Sequence, residues 1–468
     1  MDGRVNQAVP GTPVGEGVNR PPVRDRWGWV EIIAVITFAS LVFLSLRYEP
    51  GGLKFQPITV RGWTTQMIAL VLVVAILARR LYIDGERIVL PREVMLLLVW
   101  FLWFSLAFAG APDLGSFAID LQRQAKFTAL GFMMFLGFTT RRRLQFFLSW
   151  GVLGVLVVVG LYGLTGGGTA MPAGRRLSLV LEVNNLALFA GIAFWVALAV
   201  IVRKGAGWRR VIALLTVPFI AYLVLATGSR NGFVMLLLVL VIAYFVFGRT
   251  MRQRPVWRVA TAVLLVLAVA GMVYALLHTE WAWRFESMWH FVTGESDEFL
   301  QEARMRMMAA GWKMGMDHPL VGVGPSGFMQ LLPSYVSGGQ VGYQSSHSDL
   351  TGMFAFSGFP GLVLYYLIYV SMIVRARRVF RNPDLLVEDR VQVGMCYVYV
   401  VLITLVSFYS MVFDSQLIIM TLWSCAGYVY AVEARLRARA MQAEGAALQI
   451  QDVPWAVRSA GSTASTRG

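Results

Sequence analysis

Apolar residues run along this chain in blocks about twenty long, separated by short polar or basic stretches. A helix needs roughly 20 apolar residues to cross a bilayer. Twelve segments qualify, near 27–47, 63–81, 92–110, 125–138, 144–164, 183–202, 209–226, 232–248, 257–277, 351–374, 392–412 and 416–433. The expected fold class is therefore all-α, a polytopic membrane protein. The fourth segment is short. A tilted helix, a re-entrant one, and one lengthened at its start through Gln122–Lys126 all fit it. The first is too long for the apolar core of a secretory leader and lacks a clear small-residue cleavage site, so it reads as a retained helix.

The organisation expected from this pattern has five parts. Residues 1–26 are rich in Gly, Pro, Val and charge without apolar periodicity, and read as a disordered cytoplasmic tail. Spans one to nine occupy 27–277. A large periplasmic loop follows at 278–350, then spans ten to twelve at 351–433 and a cytoplasmic tail at 434–468. A long loop in an otherwise compact protein is usually functional. Its first part, Trp281–Val292, places Trp281, Phe285, Met288 and Trp289 on one helical face. That is the pattern of an interfacial helix, suited equally to closing off the loop and to meeting a lipid substrate.

Composition agrees with a membrane protein: 57% of residues are hydrophobic and 14% charged, against about a quarter charged in soluble proteins. A net charge of +15 would suggest nucleic acid in a soluble chain. Here the basic residues sit between apolar blocks, and no basic helix or finger motif occurs, so no nucleic-acid partner is expected. With the N-terminus in the cytoplasm, 29 of the 41 Lys and Arg residues fall on the inner side and the other 12 outside. Every inner loop is basic, as the positive-inside rule requires. An even number of spans returns the C-terminus to the cytoplasm. Cys396 and Cys425 both lie in apolar runs, which suits helix packing and not a disulfide framework.

The polar residues gather between Glu302 and Gly361. Topology does not explain the arginines on the outer side. Arg175 and Arg176 precede span six, Arg230 sits in the turn TGSRNG, and Arg304 and Arg306 lie in the large loop. A guanidinium fork binds phosphate oxygens in bidentate fashion, so this set suits a lipid diphosphate. The bland alternative pairs each with a carboxylate such as Glu182, Glu302 or Asp317. His347, in SSHSD, precedes span ten. An imidazole titrates near neutrality and can take a proton from a hydroxyl. Asp349 would orient the ring if the local backbone were extended; a solvated loop histidine is the rival reading. His318, in DHPL, opens a turn before Pro319 and reads as structural, and His278 and His290 read as interfacial. GVGPSG at Gly322–Gly327 has the spacing of a dinucleotide fingerprint but lacks the preceding strand and contains Pro325. Its glycines read as a tight turn and a close backbone approach to a ligand. No Walker A string occurs, and no H-E-x-x-H or paired Cys/His spacing that would hold zinc.

The strings ARMRMMAAGWKMGMDHPLVGVGPSGF and SSHSDLTGMFAFSGFPG, with TGSRNG and RRLSLVLEVNNLA, resemble the signature regions of the bacterial O-antigen ligase and polymerase superfamily. The resemblance covers roughly residues 170–365. It implies a membrane glycosyltransferase of surface polysaccharide synthesis in the bacterial inner membrane. The donor would be a glycan on polyprenyl diphosphate. The acceptor would be a hydroxyl of lipid A core for a ligase, or of another lipid-linked glycan for a polymerase. No metal or other cofactor is implied. Membrane lipids, chain-length regulators and flippases are the implied partners. His347 would activate the acceptor, with Asp349 beside it. Arg176, Arg230 and Arg304 would hold the diphosphate, Arg175 and Arg306 being the alternatives at their positions. Two departures stand out: Ser348 replaces the usual Asn after the histidine, and Met308 replaces the usual aromatic four residues after Arg304.

A transporter or flippase of lipid-linked oligosaccharide is the rival class. Such proteins often show related halves and helices broken at mid-membrane. No internal repeat is evident, and the polar residues concentrate at one face, which favours an enzyme. A scaffold would have no need of outward arginines with a histidine.

Overall fold

The computed structural model describes residues 90–137, 183–202, 207–227, 299–336, 346–413 and 416–451, with short stretches at 46–49, 52–55, 169–170, 177–178, 236, 238–241 and 266. The tail 1–26, the spans expected near 63–81 and 144–164, most of those near 27–47, 232–248 and 257–277, and the interfacial segment 281–292 lie outside the described residues. Within them the architecture is helical. The strands are two short antiparallel hairpins, β1 (Leu46–Glu49) with β2 (Gly52–Phe55) and β3 (Thr169–Ala170) with β4 (Leu177–Ser178).

The described helices are α1 (Arg92–Ser105), α2 (Leu114–Gly137), α3 (Val183–Val202), α4 (Trp208–Thr227), α5 (Phe299–Asp317), α6 (Gly324–Tyr335), α7 (Asp349–Phe380), α8 (Val387–Ser407) and α9 (Gln416–Gln451). Among the described residues, Arg92–Ala109, Asp349–Phe380 and Asp389–Ser407 are long and apolar enough to cross a membrane. Helices α3 and α4 coincide with the blocks expected at 183–202 and 209–226 to within a residue, and they pack on each other.

Helix α2 differs from the short fourth segment expected at 125–138. It starts at Leu114, because the Asp113 carboxylate accepts from the amides of Gly115 (3.1 Å) and Ser116 (2.9 Å), closing donors that a helix start leaves open. Its polar first half turns inward: Gln124 is buried, and Asp120 accepts from Ser326 N of α6 at 2.6 Å. The expected C-terminal tail also begins in a helix, since α9 runs on through an Ala-, Glu- and Arg-rich stretch of strong helix formers to Gln451.

Span ten departs most from its simple reading. Helix α7 breaks at Gly358 (φ 68°, ψ −175°). Asp349 and Tyr365 are 16 residues apart, yet their side chains bond at 2.8 Å. A straight helix would separate them by about 24 Å along its axis. The arms 349–357 and 359–380 therefore fold back on one another in an acute V. The turn between α5 and α6 fills the break. Phe359 N donates to Pro319 O (2.7 Å), and Ala355 O, its partner in an intact helix, accepts instead from Val323 N (2.8 Å). Pro360 has no amide to give. One residue on from the carbonyl that Pro360 would have served, Ser357 O accepts from Trp103 Nε1 of α1 at 3.1 Å. Irregular backbone survives at membrane depth only when protein satisfies its polar groups in this way.

The glycines of GVGPSG serve that junction. Gly322 and Gly324 have φ of 71° and 74°, and a Cβ at Gly322 would lie 2.5 Å from backbone atoms of Phe356 and Ser357. The close approach expected toward a ligand is thus made to helix α7. Helix α5 lies along the first arm of α7 in the same direction, with Gly311 against Thr351 and Gly315 against the Phe354 ring.

At the far end of the bundle, Glu93 of α1, Arg375 of α7 and Glu433 of α9 form one network. Arg375 bonds Glu93 at 2.8 and 3.0 Å, bonds Glu433 as well, and stacks over Tyr430. Arg437 adds a second pair to Glu433 at 2.7 Å. Arg375, counted in the sequence as an inner-loop charge, is therefore ion-paired between helices.

Candidate active site

The segment 346–349 closes the open end of the V. Ser346, Ser348 and Asp349 are each fully buried, and His347 alone among the four is half-exposed. His347 has φ 57°, the left-handed region that non-glycine residues seldom occupy, and it is the one such residue among those described. Such strain persists when the surroundings over-determine it, and here they do. Ser346 Oγ donates to Ser348 O (2.8 Å). Ser348, with an extended backbone, caps the helix by accepting from Thr351 N, while its own hydroxyl donates to Phe408 O at 2.7 Å. Gly352 leaves the room that Ser346 fills; a Cβ there would lie 2.4 Å from Ser346 Oγ.

Asp349 is the anchor. Its Oδ1 accepts from the amides of Val412 (3.0 Å) and Phe413 (3.1 Å), and its Oδ2 from the Tyr365 hydroxyl. Tyr365 in turn meets the Tyr369 hydroxyl at 2.8 Å, and Tyr366 meets Ser407 at 3.1 Å. A buried carboxylate needs such partners to stay satisfied. The result joins the V to the turn after α8, so that residues 408–413 form a wall beside His347. Asp349 opens a helix here and does not continue an extended strand from His347. Its observed bonds tether the segment.

The arginines of α5 separate. Two residues apart on a helix is about 200° of rotation, so positions 304 and 306 fall on different sides of the α5 backbone. Arg306 is half-buried and shares a strip with Lys313 and Asp317, the latter accepting from the Tyr335 hydroxyl at 2.7 Å. Position 304 lies seven residues before Gly311, on the face that α5 turns to α7. Because α5 and the first arm of α7 run in the same direction, position 304 falls toward the His347 end of the layer. Arg175, Arg176 and Arg230 lie outside the described residues. His318 is half-buried in the turn it was expected to open: its amide donates to Met314 O, and its carbonyl accepts from Gly322 N.

The sequence reading missed the turn 408–413 and the tyrosines. One signal was present: three tyrosines at 365, 366 and 369 interrupt the otherwise aliphatic run from Leu362 to Val370. The site thus offers a half-exposed imidazole on a strained, anchored backbone beside an arginine-bearing helix. Residues 214–366, which include α5, α6, His347 and the break in α7, match a family model described as O-antigen ligase. No curated protein matches the chain.

Proposed function

We propose, from the match of residues 214–366 to the family model described as O-antigen ligase, that this chain is a membrane glycosyltransferase of surface polysaccharide synthesis. It takes a glycan from a polyprenyl-diphosphate donor to a sugar hydroxyl at the periplasmic face of the inner membrane, as a ligase or a polymerase, without a metal. The observation that carries the reading is His347, half-exposed and held in a left-handed conformation inside the matched segment.

In the proposed reaction His347 removes the acceptor hydroxyl proton as that oxygen attacks the anomeric carbon. The bond from that carbon to the lipid diphosphate breaks, its electron pair leaves with the diphosphate, and configuration inverts. Proton transfer by a positioned base contributes about 10²–10⁴-fold. In this reading Arg304 meets the leaving group, with Arg230 and Arg176 as further diphosphate ligands; Arg175 and Arg306 are the alternatives at their positions. Their charge stabilises what develops on the phosphate. Asp349 acts by holding the segment.

The test is glycan transfer by purified protein in nanodiscs, with donor binding measured on the same samples. His347→Gln is expected to lose most transfer and keep donor binding. Normal turnover by that variant would remove the base from the mechanism. The broken helix α7 favours one second reading, a transporter of lipid-linked oligosaccharide. Donor crossing proteoliposome membranes with no new glycosidic bond would select it.

A further inference from the structure

Helix α5 falls in the stretch that hydropathy and charge place in an aqueous loop, yet it is apolar on two faces. Met307, Ala310 and Met314 are buried against the rest of the protein. Met305, Trp312, Met316 and, just past the helix, Leu320 are 48–68% exposed. Their spacing of seven, four and four residues keeps them in one stripe along the helix. A second strip beside it carries Arg306, Lys313 and Asp317. A water-facing helix shows polar residues on its outer face. Isolated exposed apolar side chains are ordinary, but a continuous stripe is not. An apolar stripe edged by charge is the pattern of a helix lying in a membrane interface.

The neighbouring surface identifies what covers the stripe. On the second arm of α7, part of a helix apolar enough to cross a membrane, Phe359, Val363, Leu367, Val370 and Val374 are all exposed and follow one face. Phe359 stands at the top of that face. Its amide donates to Pro319 O, the residue before Leu320. The exposed apolar stripe of the span therefore meets that of α5 where Phe359 and Leu320 adjoin at the Phe359–Pro319 bond. The V-shaped fold of α7 explains how this happens. Its first arm turns back toward the level of Tyr365, and α5 runs alongside it.

We propose that the outer face of α5 is seated against the hydrocarbon of the bilayer, making this helix a membrane-contacting wall of the site and not an aqueous loop element. The partner is the lipid itself, and the proposal stands whichever reaction the site performs.

Nitroxide labels test it. Trp312→Cys, Met316→Cys and Leu320→Cys are made singly in full-length protein in nanodiscs, with the buried Cys396 and Cys425 replaced by Ala. Leu367→Cys serves as the lipid reference and Lys313→Cys as the aqueous one. Relaxation by oxygen, which concentrates in hydrocarbon, is compared with relaxation by a water-soluble nickel chelate. The expected result is an oxygen-to-nickel ratio at 312, 316 and 320 matching position 367 and severalfold above position 313. Ratios equal to that at 313 would overturn the proposal. So would low relaxation by both reagents, which would mean that protein covers the stripe. Neither readout depends on glycan transfer, so the proposed reaction fails or survives separately.

Discussion

Replacing Gly358 by alanine tests the architecture on which the site depends. Its φ of 68° with ψ of −175° belongs to a region open essentially to glycine alone, and an L-residue there costs about 1–3 kcal/mol. A new Cβ would also lie 2.3 Å from Leu320 O and 2.7 Å from Pro319 O. Those are backbone atoms pinned by the exchange of hydrogen bonds between Phe359 N, Pro319 O, Val323 N and Ala355 O. Relieving the contact means loosening both bonds, each worth about 0.5–1.5 kcal/mol net. The total is about 2–6 kcal/mol. Gly115→Ala is the control, since Gly115 has ordinary space and sits in the first turn of α2. Thermal unfolding of the purified proteins in detergent should place Gly358→Ala several degrees below wild type and Gly115→Ala beside it. Equal melting of both variants would refute the reading of the break.

Three further outcomes follow from the packing. Tyr365→Phe removes a donor to a buried carboxylate and should cost about 1.5–3 kcal/mol in stability; an unchanged melt would show that Asp349 does not need it. Arg375→Ala leaves Glu93 and Glu433 without their shared cation and should cost about 3–5 kcal/mol, part of it recovered when Glu93→Gln is added, as melting of the single and double variants will show. The Asp113 carboxyl is held below its ordinary 3.8 by the Ser116 side chain and the amides of Ser116 and Gly115. A depressed folded value means that its cap is complete above the unfolded value and is lost as pH falls through the folded one. Asp113→Ala should therefore melt below wild type at pH 7, with the gap closing under about pH 4.

Parts of this architecture were legible because they are written in local patterns. Helices α3 and α4 are bounded by polar residues at both ends, so hydropathy placed them to within a residue. The start of α2 was not, because its first half is polar and looks like a loop to any hydropathy window, while the bond from Ser326 N to Asp120 and the burial of Gln124 that hold it in the fold leave no apolar trace. In SGFPG the helix breakers Gly358 and Pro360 were visible, although span ten was expected as one apolar run. The direction of the fold-back was not, since it depends on bonds from Asp349 to Tyr365 and to residue 413, which leave no periodic trace. The glycines of GVGPSG were read as a tight turn and a close approach to a ligand. Gly322 approaches backbone 355–357 of α7 and Gly324 the Phe117 ring of α2, and only the fold reveals that. His347 was singled out for its residue type and neighbours, but its left-handed backbone has no signature in SSHSD.

That backbone supplies a last test, because it reverses an ordinary preference. At most positions glycine is less stable than alanine by about 0.5–1 kcal/mol, through the freedom it loses on folding. At φ 57° the order should invert. A Cβ-bearing residue in the left-handed region pays about 1–2 kcal/mol that glycine does not, which outweighs the entropy difference. His347→Gly should thus unfold at least as high as His347→Ala, while both lose glycan transfer if the imidazole is the base. The flanking bonds of Ser346, Ser348 and Asp349 do not involve the ring, so neither variant should release the segment from the turn at 408–413. Melting curves of the two purified variants decide the point. Alanine more stable than glycine would mean that the left-handed conformation at 347 is not enforced, and that the histidine is not held where the proposed reaction requires it.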